Sequence, residues 1–590
     1  MKRSEVPQKY RWKLSDIVSS EAEFETRFQK VLDKLPEIAA YAGKLGDRDS
    51  ALACFKLDSE ISKEFGLLYL WSHMYSHEDL ANSAAVGYAN RTDALMGKVM
   101  TATSFMSSEL SALDDATIDA YIADPEFGVF DFMLSELKRR KAHILGDREE
   151  RLLAMAGEAL GTPDNVASML MNADLKFKPV KKDGKTVELN NESYGELLAD
   201  EDRKVRKAAF DNLYAGYAAH INTLAANYAG NVKAGNFYAL ARNYGDGLEA
   251  GMFGDNVPKD VYENLIGAVE KNLAPLHRYI ALRKKLLGVK DLHMYDLYVP
   301  VVENAQMKLP YEEACELVKT ALAPMGKDYV ALLNKAMTEG WIDVMPNDGK
   351  RGGAYSWGTY GVHPFVLLNY QQTTNDIFTV AHELGHCLHS YYSQEGQPYE
   401  KSDYQIFVAE VASICNETLL ESYLMNNVTD ERVKRYLLSY RLDRFRTTLF
   451  RQTMFAEFEY QAHKMDLEGR PLTVDALNGL YLDLNKKYYG ADVSDDTIKY
   501  EWSRIPHFYN AFYVYKYATG LTAATSIAHN ILERPEYVDK YKNKFLRAGG
   551  CKSPYEILCD VEVDLATQKP YDDAFRLFSD SLDELEKLSK

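Results

Sequence analysis

The chain has 590 residues, which is enough to bury a large core and to divide into at least two lobes. Hydrophobic residues make up 46% and charged residues 26%, as in soluble proteins, and the net charge of −18 disfavours binding to nucleic acid or to an anionic membrane surface. The six cysteines lack the spacing of a metal cluster or a disulfide framework, so we expect small buried thiols. The N-terminus shows no signal-peptide pattern, and no run reaches the roughly 18 apolar residues of a membrane span. We therefore expect a cytoplasmic protein.

The first part of the chain is predicted to form successive amphipathic helices. Leu68, Trp71 and Tyr75 recur at a spacing that puts them on one helical face, which is typical of a packed core. His73 and His77 also share a face, but no glutamate follows His73, and no third metal ligand is in view. We interpret both histidines as packing or surface residues.

A hairpin is predicted within residues 174–190. Alternating residues flank the pair Asp183-Gly184, which favours a tight turn between two antiparallel strands. Helices resume after it and continue to about residue 340. We expect the hairpin to mark the seam between an N-terminal helical lobe, residues 1–195, and a catalytic domain, residues 196–590.

The character of the sequence changes over residues 343–372. Glycines punctuate a run rich in aromatic residues, and Phe365–Leu368 are of the type that favours strands. We predict a small twisted sheet. Its edge would satisfy the backbone of an extended peptide, with Gly353 and Tyr355 as contacts, although an ordinary structural hairpin would need no exposed edge.

Residues 379–390 contain the order His-Glu-x-x-His as His382, Glu383 and His386. On an α-helix, positions four apart lie one turn apart on the same face, so two imidazoles can point at one cation. Zn²⁺ binds neutral imidazole well, and a glutamate beside the first ligand can take a proton from water. The pattern therefore predicts a hydrolytic zinc site.

The alternative is an amphipathic helix whose histidines lie on the surface. Two features favour the metal site. Asn375 or Asp376 can cap the start of the helix. Gly385 is costly inside a helix, by about 1 kcal/mol relative to alanine, so we expect a close neighbour such as substrate or a second helix.

A third protein ligand is needed, with the fourth position left open. Glu410 is the candidate, because it lies in an apolar stretch where an unpaired buried carboxylate would be costly. Glu417 falls on the same face two turns later and is predicted to orient a ligand imidazole, although a surface salt bridge would explain it equally well. With Glu410 as ligand, a thiolate from Cys387 or Cys415 is unnecessary.

A tyrosine-rich segment follows at residues 507–517. Tyr509, Tyr513 and Tyr517 recur every four residues, which predicts one face of a helix. Phenol and imidazole groups are neutral donors that can stabilise the negative charge developing on a carbonyl oxygen during amide hydrolysis. His507 and a tyrosine of this face suit that role, and at least one of the three tyrosines is expected to pack in a core.

Together these segments resemble the thimet-type metallopeptidase family, and most closely its oligoendopeptidase F branch. Besides the zinc motif and Phe407–Ser413, the resemblance extends to four stretches: residues 12–16, 351–355, 363–370 and 504–509. It implies that His382, His386 and Glu410 hold one Zn²⁺ and that Glu383 is the catalytic base. It also implies that His507, Tyr509, Tyr513 and Tyr517 contact the substrate or its transition state, and that substrates are short oligopeptides.

The predicted fold is a mainly α-helical, two-lobed metallopeptidase with a deep cleft and a small β-sheet next to the zinc helix. The predicted function is zinc-dependent cleavage of internal peptide bonds. Two alternatives stay open. A zinc carboxypeptidase of helical fold would need a fixed cationic group for the terminal carboxylate, and a non-catalytic helical scaffold would need no general base. The sequence leaves the oligomeric state and the active tyrosine undetermined.

Overall fold

A computed structural model describes residues 1–302 and 304–590, and helices dominate that part of the chain. The helices are α1 (Glu21–Ala39), α2 (Arg48–Glu78), α3 (Ser83–Ala112), α4 (Asp115–Ala123), α5 (Asp131–Lys141), α6 (Asp147–Leu160), α7 (Thr162–Met169), α8 (Asn191–Leu198), α9 (Arg203–Ala219), α10 (Ile221–Ala241), α11 (Gly247–Phe253), α12 (Lys259–Lys271), α13 (Leu273–Leu286), α14 (Tyr311–Ala321), α15 (Lys327–Thr338), α16 (Thr374–Gly396), α17 (Ile406–Asn427), α18 (Glu431–Phe445), α19 (Arg451–Leu467), α20 (Val474–Tyr489), α21 (Tyr515–Glu533), α22 (Tyr537–Tyr541), α23 (Pro554–Asp560) and α24 (Lys569–Leu588). The strands are β1 (Val180–Lys182), β2 (Lys185–Val187), β3 (Ile342–Asp343), β4 (Tyr355–Trp357) and β5 (Phe365–Leu367). Among the described residues, no helix is both long enough and apolar enough to cross a membrane.

The chain forms two compact units, and each unit is built from three separate segments. The first unit comprises Met1–Ala142, Met307–Asn426 and Ile527–Val563. The second comprises His143–Gln306, Asn427–Ser526 and Asp564–Lys590. The division of the sequence after residue 195, and the cleft between two lobes, stay predictions.

The predicted hairpin is present and lies within the second unit. Strands β1 and β2 pair antiparallel with Val180 opposite Val187. Asp183 and Gly184 both have positive φ, which matches the two-residue turn that an Asp-Gly pair favours. The strands are shorter than predicted, because the residues from Leu175 to Pro179 are not paired.

The core of the first unit confirms the predicted helical stripe on α2. Leu68 and Trp71 are buried there, and the Trp71 ring contacts that of Phe24 at a centroid distance of 5.2 Å. The same core includes Phe365 and Leu367 of β5. The small sheet is therefore anchored to the N-terminal helices through its central strand.

The predicted sheet within residues 343–372 is also confirmed. Its strand order is β3-β5-β4, with β5 parallel to β3 and antiparallel to β4. Ser356 of β4 lies opposite Val366 of β5. Strand β4 consequently forms one edge of the sheet, and the loop that carries Gly353 leads directly into it.

Candidate metal centre

The zinc-motif helix, α16, begins at a capping box. The Thr373 hydroxyl accepts a hydrogen bond from the backbone N–H of Asp376, and the Asp376 carboxylate accepts one from the backbone N–H of Thr373. This reciprocal pair satisfies two of the amides that have no partner within the helix. The predicted cap at Asn375 or Asp376 is wrong. The N-cap is Thr373, and Asp376 is its partner three residues later.

Three ligand atoms converge on the exposed side of this helix. His382 Nε2 and His386 Nε2 are 3.2 Å apart, and Glu410 Oε2 from α17 lies 3.4 Å from the first and 3.5 Å from the second. The three atoms thus form a nearly equilateral triangle. The structure brings together the three predicted ligands.

The dimensions of this triangle fit a tetrahedral metal ion. Zn²⁺ binds histidine nitrogen and carboxylate oxygen at about 2.0–2.2 Å, and a tetrahedron with corners about 2.0–2.1 Å from its centre has edges of about 3.3–3.4 Å. The observed separations of 3.2, 3.4 and 3.5 Å bracket that edge. Two imidazoles and one carboxylate leave the fourth corner for solvent or substrate, as in catalytic sites.

The Glu410 carboxylate is more exposed than its apolar sequence context suggests. Its side chain is 47% exposed, although the helix that carries it is largely buried, as predicted. It lies in the first turns of α17, where the side chain faces the two histidines. Its burial tends to raise the pKa of Glu410, but the hydrogen bond and charge of His386 prevail and lower that pKa to about 2. The carboxylate is therefore ionised, as a metal ligand must be.

Glu417 holds the first histidine in place. Its Oε1 lies 2.5 Å from His382 Nδ1, on the side of the ring opposite the metal-facing Nε2. Burial alone would lower the pKa of His382, but the hydrogen bond and charge of Glu417 raise it overall. A carboxylate in this position keeps the hydrogen of the neutral ring on Nδ1 and leaves the Nε2 lone pair for a metal.

Glu383 follows His382 in the sequence, but it neither belongs to the ligand triangle nor orients a ligand ring. It is 7% exposed, and within the described part of the chain its carboxylate accepts no hydrogen bond. Burial raises the pKa of Glu383, although the charges of His382 and His386 oppose that shift. A carboxylate with raised basicity and free oxygens is suited to accept a proton.

Gly385 allows the two ligand-bearing helices to come together. A Cβ atom at this position would stand 2.5 Å from Ser413 Cα and 2.9 Å from the carbonyl oxygen of Ala412. The expectation of a close neighbour is confirmed, and the neighbour is the backbone of α17. The crossing places Glu410 within reach of both histidines.

Other potential ligands on α16 and α17 are excluded by their packing. The ring of His389 is stacked between Tyr404 and Phe545, at centroid distances of 3.8 and 5.2 Å, and burial lowers its pKa to about 3. Cys387 and Cys415 are buried free thiols, as predicted.

Tyr355 and Gly353, the predicted substrate contacts, lie on β4 and in the loop before it. The carbonyl oxygen of Gly353 accepts a hydrogen bond of 2.8 Å from the Asn369 side chain, and its φ of +82° favours glycine. The Tyr355 hydroxyl lies 2.7 Å from His77 Nδ1. A pocket of about 290 Å³ lies beside Gly353 and the start of α16.

His77 has a defined function in this network that the sequence did not reveal. Its Nε2 lies 2.7 Å from a guanidinium nitrogen of Arg351, and a guanidinium can only donate. The neutral ring therefore carries its hydrogen on Nδ1 and donates it to the Tyr355 oxygen. Burial, and next the charge of Arg351, lower the pKa of His77 to about 4 and so keep it neutral.

The tyrosine-rich segment is not one helix, so the prediction of a single face is wrong. Residues Pro506–Tyr509 form a 3₁₀ turn, and α21 begins only at Tyr515. Between them Phe512 has φ of +58°, and its backbone N–H donates a 2.7 Å hydrogen bond to the buried carboxylate of Glu459. This tertiary contact fixes a conformation that a helix cannot adopt.

Three of the four predicted residues of this segment still converge within the second unit. His507 Nε2 lies 3.3 Å from the Tyr517 hydroxyl, and the His507 and Tyr513 rings stack at 6.2 Å. Tyr509 does not join them. Its hydroxyl accepts a hydrogen bond from Asn227 and lines a separate pocket.

Comparison with known proteins identifies the family. The model of peptidase family M3 matches residues 196–577, and that of oligopeptidase F matches residues 109–177. The chain belongs to peptidase family M3. It is 41% identical to oligopeptidase PepF of Bacillus subtilis, over 99% of this chain and 88% of the relative. The predicted membership of the oligoendopeptidase F branch is confirmed.

Solved structures of similar chains support the M3 fold. The crystal structure of oligoendopeptidase-F from Enterococcus faecium is 34% identical, with a TM-score of 0.72 over 96% of this chain and 99% of that one. A crystal structure from Chlamydophila abortus is 31% identical, with a TM-score of 0.96 over 100% and 99% of the two chains. The mainly helical peptidase fold is thereby confirmed.

Membership of family M3 makes this chain a metalloendopeptidase that acts on peptides. The matched range contains all three residues of the ligand triangle as well as Glu383. The identity of the metal and the roles of individual residues stay predictions.

Proposed function

We propose that this chain is a zinc-dependent endopeptidase that hydrolyses internal bonds of short oligopeptides. The observation that carries the proposal is the triangle of His382, His386 and Glu410 atoms with tetrahedral edge lengths, beside an acidic side chain with free oxygens. Zinc, when bound there, supplies a Lewis acid that polarises the scissile carbonyl and activates water. We also infer that the enzyme is cytoplasmic.

Glu383 performs the proton transfers in this scheme. One carboxylate oxygen takes a proton from the attacking water, and the same group then delivers it to the nitrogen of the leaving amine. The apolar surroundings that raise the pKa of Glu383 strengthen it as a base. Glu417 takes no part in the transfer and keeps the His382 ring in the orientation that the metal requires.

Substrate binding is assigned to the sheet edge and to the segment after α20. Among the described residues β4 pairs with β5 and with no other strand, so one side of its backbone suits an extended peptide of any sequence. For His507, Tyr513 and Tyr517 we propose hydrogen bonds to substrate and to the developing oxyanion. As neutral donors, they stabilise that charge without a competing proton transfer.

The test is a Glu383→Gln variant measured for metal content and for cleavage of an internally quenched peptide. We expect the variant to retain about one zinc ion per chain and to lose activity by about 10²–10⁴-fold. Glu395→Gln, a half-exposed position later on the same helix, is the control and is expected to behave as wild type. A Glu383→Gln variant with zinc and full activity would exclude the proposed base.

Mass spectrometry of the products separates the remaining possibilities. Cleavage at internal bonds is expected. Stepwise loss of single residues from the C-terminus would indicate the carboxypeptidase alternative, and a zinc-loaded protein without cleavage would indicate a binding scaffold. The similar proteins, oligopeptidase PepF of Bacillus subtilis and oligoendopeptidase-F of Enterococcus faecium, support the first outcome.

A further inference from the structure

A pocket in the second unit has features of a binding site that the proposed reaction does not use. Its volume is about 310 Å³. It is lined by Pro506, which precedes His507, and by Tyr509, two residues after it. Its polar lining comprises Asp164, Ser168, Asn172, Asn191, Arg504 and Tyr509.

The Arg504 side chain is held rigidly at this pocket. Its Nε donates a 3.3 Å hydrogen bond to the Tyr214 hydroxyl, and its guanidinium lies over the Tyr194 ring at 5.1 Å from the centroid. The side chain is 19% exposed. A cation fixed in this way loses little conformational entropy when it binds a ligand.

Arg504 competes with a second arginine, Arg451, for the carboxylate of Glu501. The nearest carboxylate, that of Glu501, is already bound by both terminal nitrogens of Arg451, at 2.8 and 3.1 Å. It also accepts hydrogen bonds from Tyr481 at 2.7 Å and Tyr214 at 3.1 Å. Arg504 approaches Glu501 only to 3.5 Å. Two guanidinium groups therefore share one carboxylate that is saturated with donors.

Two hydrogen-bond donors at the pocket have no acceptor among the described residues. Within the part of the chain that the structure describes, Nη1 of Arg504 makes no hydrogen bond and no ion pair. The Tyr509 oxygen accepts from Asn227 at 3.3 Å, which leaves the phenol hydrogen unused. The acidic residue of the lining, Asp164, is exposed, and no ion pair joins it to Arg504 among the described residues.

We propose that this pocket binds a carboxylate group of the peptide, supplied by its C-terminus or by an acidic side chain. Arg504 provides the charge and Tyr509 a second hydrogen bond. The inference rests on the proposed function, because it treats the pocket beside His507 as part of the peptide-binding surface.

The binding test uses the Glu383→Gln protein loaded with zinc, so that the peptide stays intact. A short N-acetylated alanine peptide is prepared with a free C-terminal carboxylate, with a C-terminal amide, and as the amide with one internal glutamate. We expect calorimetry to give about tenfold tighter binding for the free acid than for the plain amide, as a charged hydrogen bond implies. Tight binding of the glutamate peptide instead would assign the pocket to acidic side chains.

Variants of the pocket decide whether Arg504 is responsible. Arg504→Gln is expected to bring the ratio of acid to amide affinity close to one, Arg504→Lys to retain part of it, and Tyr509→Phe to reduce it. Arg278→Gln changes an exposed arginine of the same unit and is expected to keep the full ratio. If Arg504→Gln does not fold, as judged by thermal unfolding, Tyr509→Phe carries the test.

Equal affinity of the three peptides would overturn the inference. An unchanged ratio of acid to amide affinity in Arg504→Gln would also overturn it. If Arg504→Gln does not fold, an unchanged ratio in Tyr509→Phe would have the same meaning. Cleavage is measured separately on the same peptides with the Glu383-containing enzyme. If the affinity ratio is intact but no peptide is cleaved, the proposed hydrolysis is refuted and the inference of a carboxylate pocket is retained.

Discussion

Gly385 of α16 lies directly against Ser413 of α17, so closely that a Cβ atom at residue 385 would be 2.5 Å from the Ser413 Cα. Contacts of this kind between a side chain and a backbone cannot be relieved by a rotamer change. The distance between the two helices is thus set by a missing side chain, and the positions of His382, His386 and Glu410 depend on it.

We expect Gly385→Ala to lower both thermal stability and zinc affinity, because the added methyl group forces α17 away from α16. Overpacking of this type typically costs about 1–3 kcal/mol. Differential scanning calorimetry and a chelator competition assay measure the two effects. Gly479→Ala is the matched control, since that glycine also lies within a helix, α20, but among the described residues no atom beyond its chain neighbours and its own helix backbone lies within 4 Å of its added Cβ. A control variant at least as stable as wild type is expected.

Glu417→Gln is expected to weaken zinc binding about 10–100-fold while leaving the three ligands in place. An amide at this position still contacts His382 Nδ1 but no longer provides a charge that strengthens the ring as a ligand. Competition with a fluorescent chelator measures the affinity. Unchanged affinity would show that the 2.5 Å contact only packs the helices.

His77 gives a prediction about the sheet edge. Replacing it with leucine removes the acceptor for the exposed Arg351 and the donor to the half-buried Tyr355, at a cost of about 0.5–1.5 kcal/mol for each lost hydrogen bond. We expect a lower Tm and a raised KM for peptides, with a smaller change in kcat.

Two further variants test this interpretation of His77. His77→Gln offers one acceptor and one donor, so it should lose less than His77→Leu. His73→Leu removes a neighbouring histidine that packs on Tyr69 and Trp357 and whose side-chain hydrogen bond goes to the exposed Asp93, not to Tyr355 or Arg351, and it should leave KM unchanged. If His73→Leu and His77→Leu have equal effects, the network at Tyr355 is not responsible.

Glu459 gives a prediction about pH. Burial raises the pKa of this carboxyl group from 4.5 to about 8, although the hydrogen bond from Phe512 opposes the shift. Between those two pH values the folded protein binds more protons than the unfolded chain, so stability is expected to fall as the pH rises through this window. Above about pH 8 this contribution no longer changes.

Glu459→Gln removes the titration and keeps an oxygen that can accept the Phe512 N–H. We expect the variant to match wild type near pH 5 and to have the higher Tm near pH 9, as measured by calorimetry. Glu263→Gln, at an exposed carboxylate, serves as the control. A difference in Tm between Glu459→Gln and wild type that is the same at both pH values would contradict the prediction.

The parts of the site that the sequence could predict are those set by local spacing. The pair His382 and His386 needs only one helical turn, and the sheet before it needs only strand-forming residues and glycines. The helix through Tyr509, Tyr513 and Tyr517 was mispredicted because a distant carboxylate, Glu459, holds Phe512 in a left-handed conformation.

Other features depend on pairs of residues that are far apart in the sequence. The contact between His77 and Arg351 joins residues that no periodicity connects. The same is true of the sharing of Glu501 by Arg451 and Arg504. Such contacts form only when the helices pack against one another. Local sequence preferences therefore do not predict them.

The segmented first unit has a consequence for synthesis on the ribosome. Both histidines of the metal triangle emerge long before Phe545, which stacks on His389, and before Arg547, whose backbone abuts Gly396 at the end of α16. A nascent or truncated chain that stops short of Ile527 lacks the third segment of this unit. The packing around α16 is therefore completed only after the third segment, Ile527–Val563, has been synthesised.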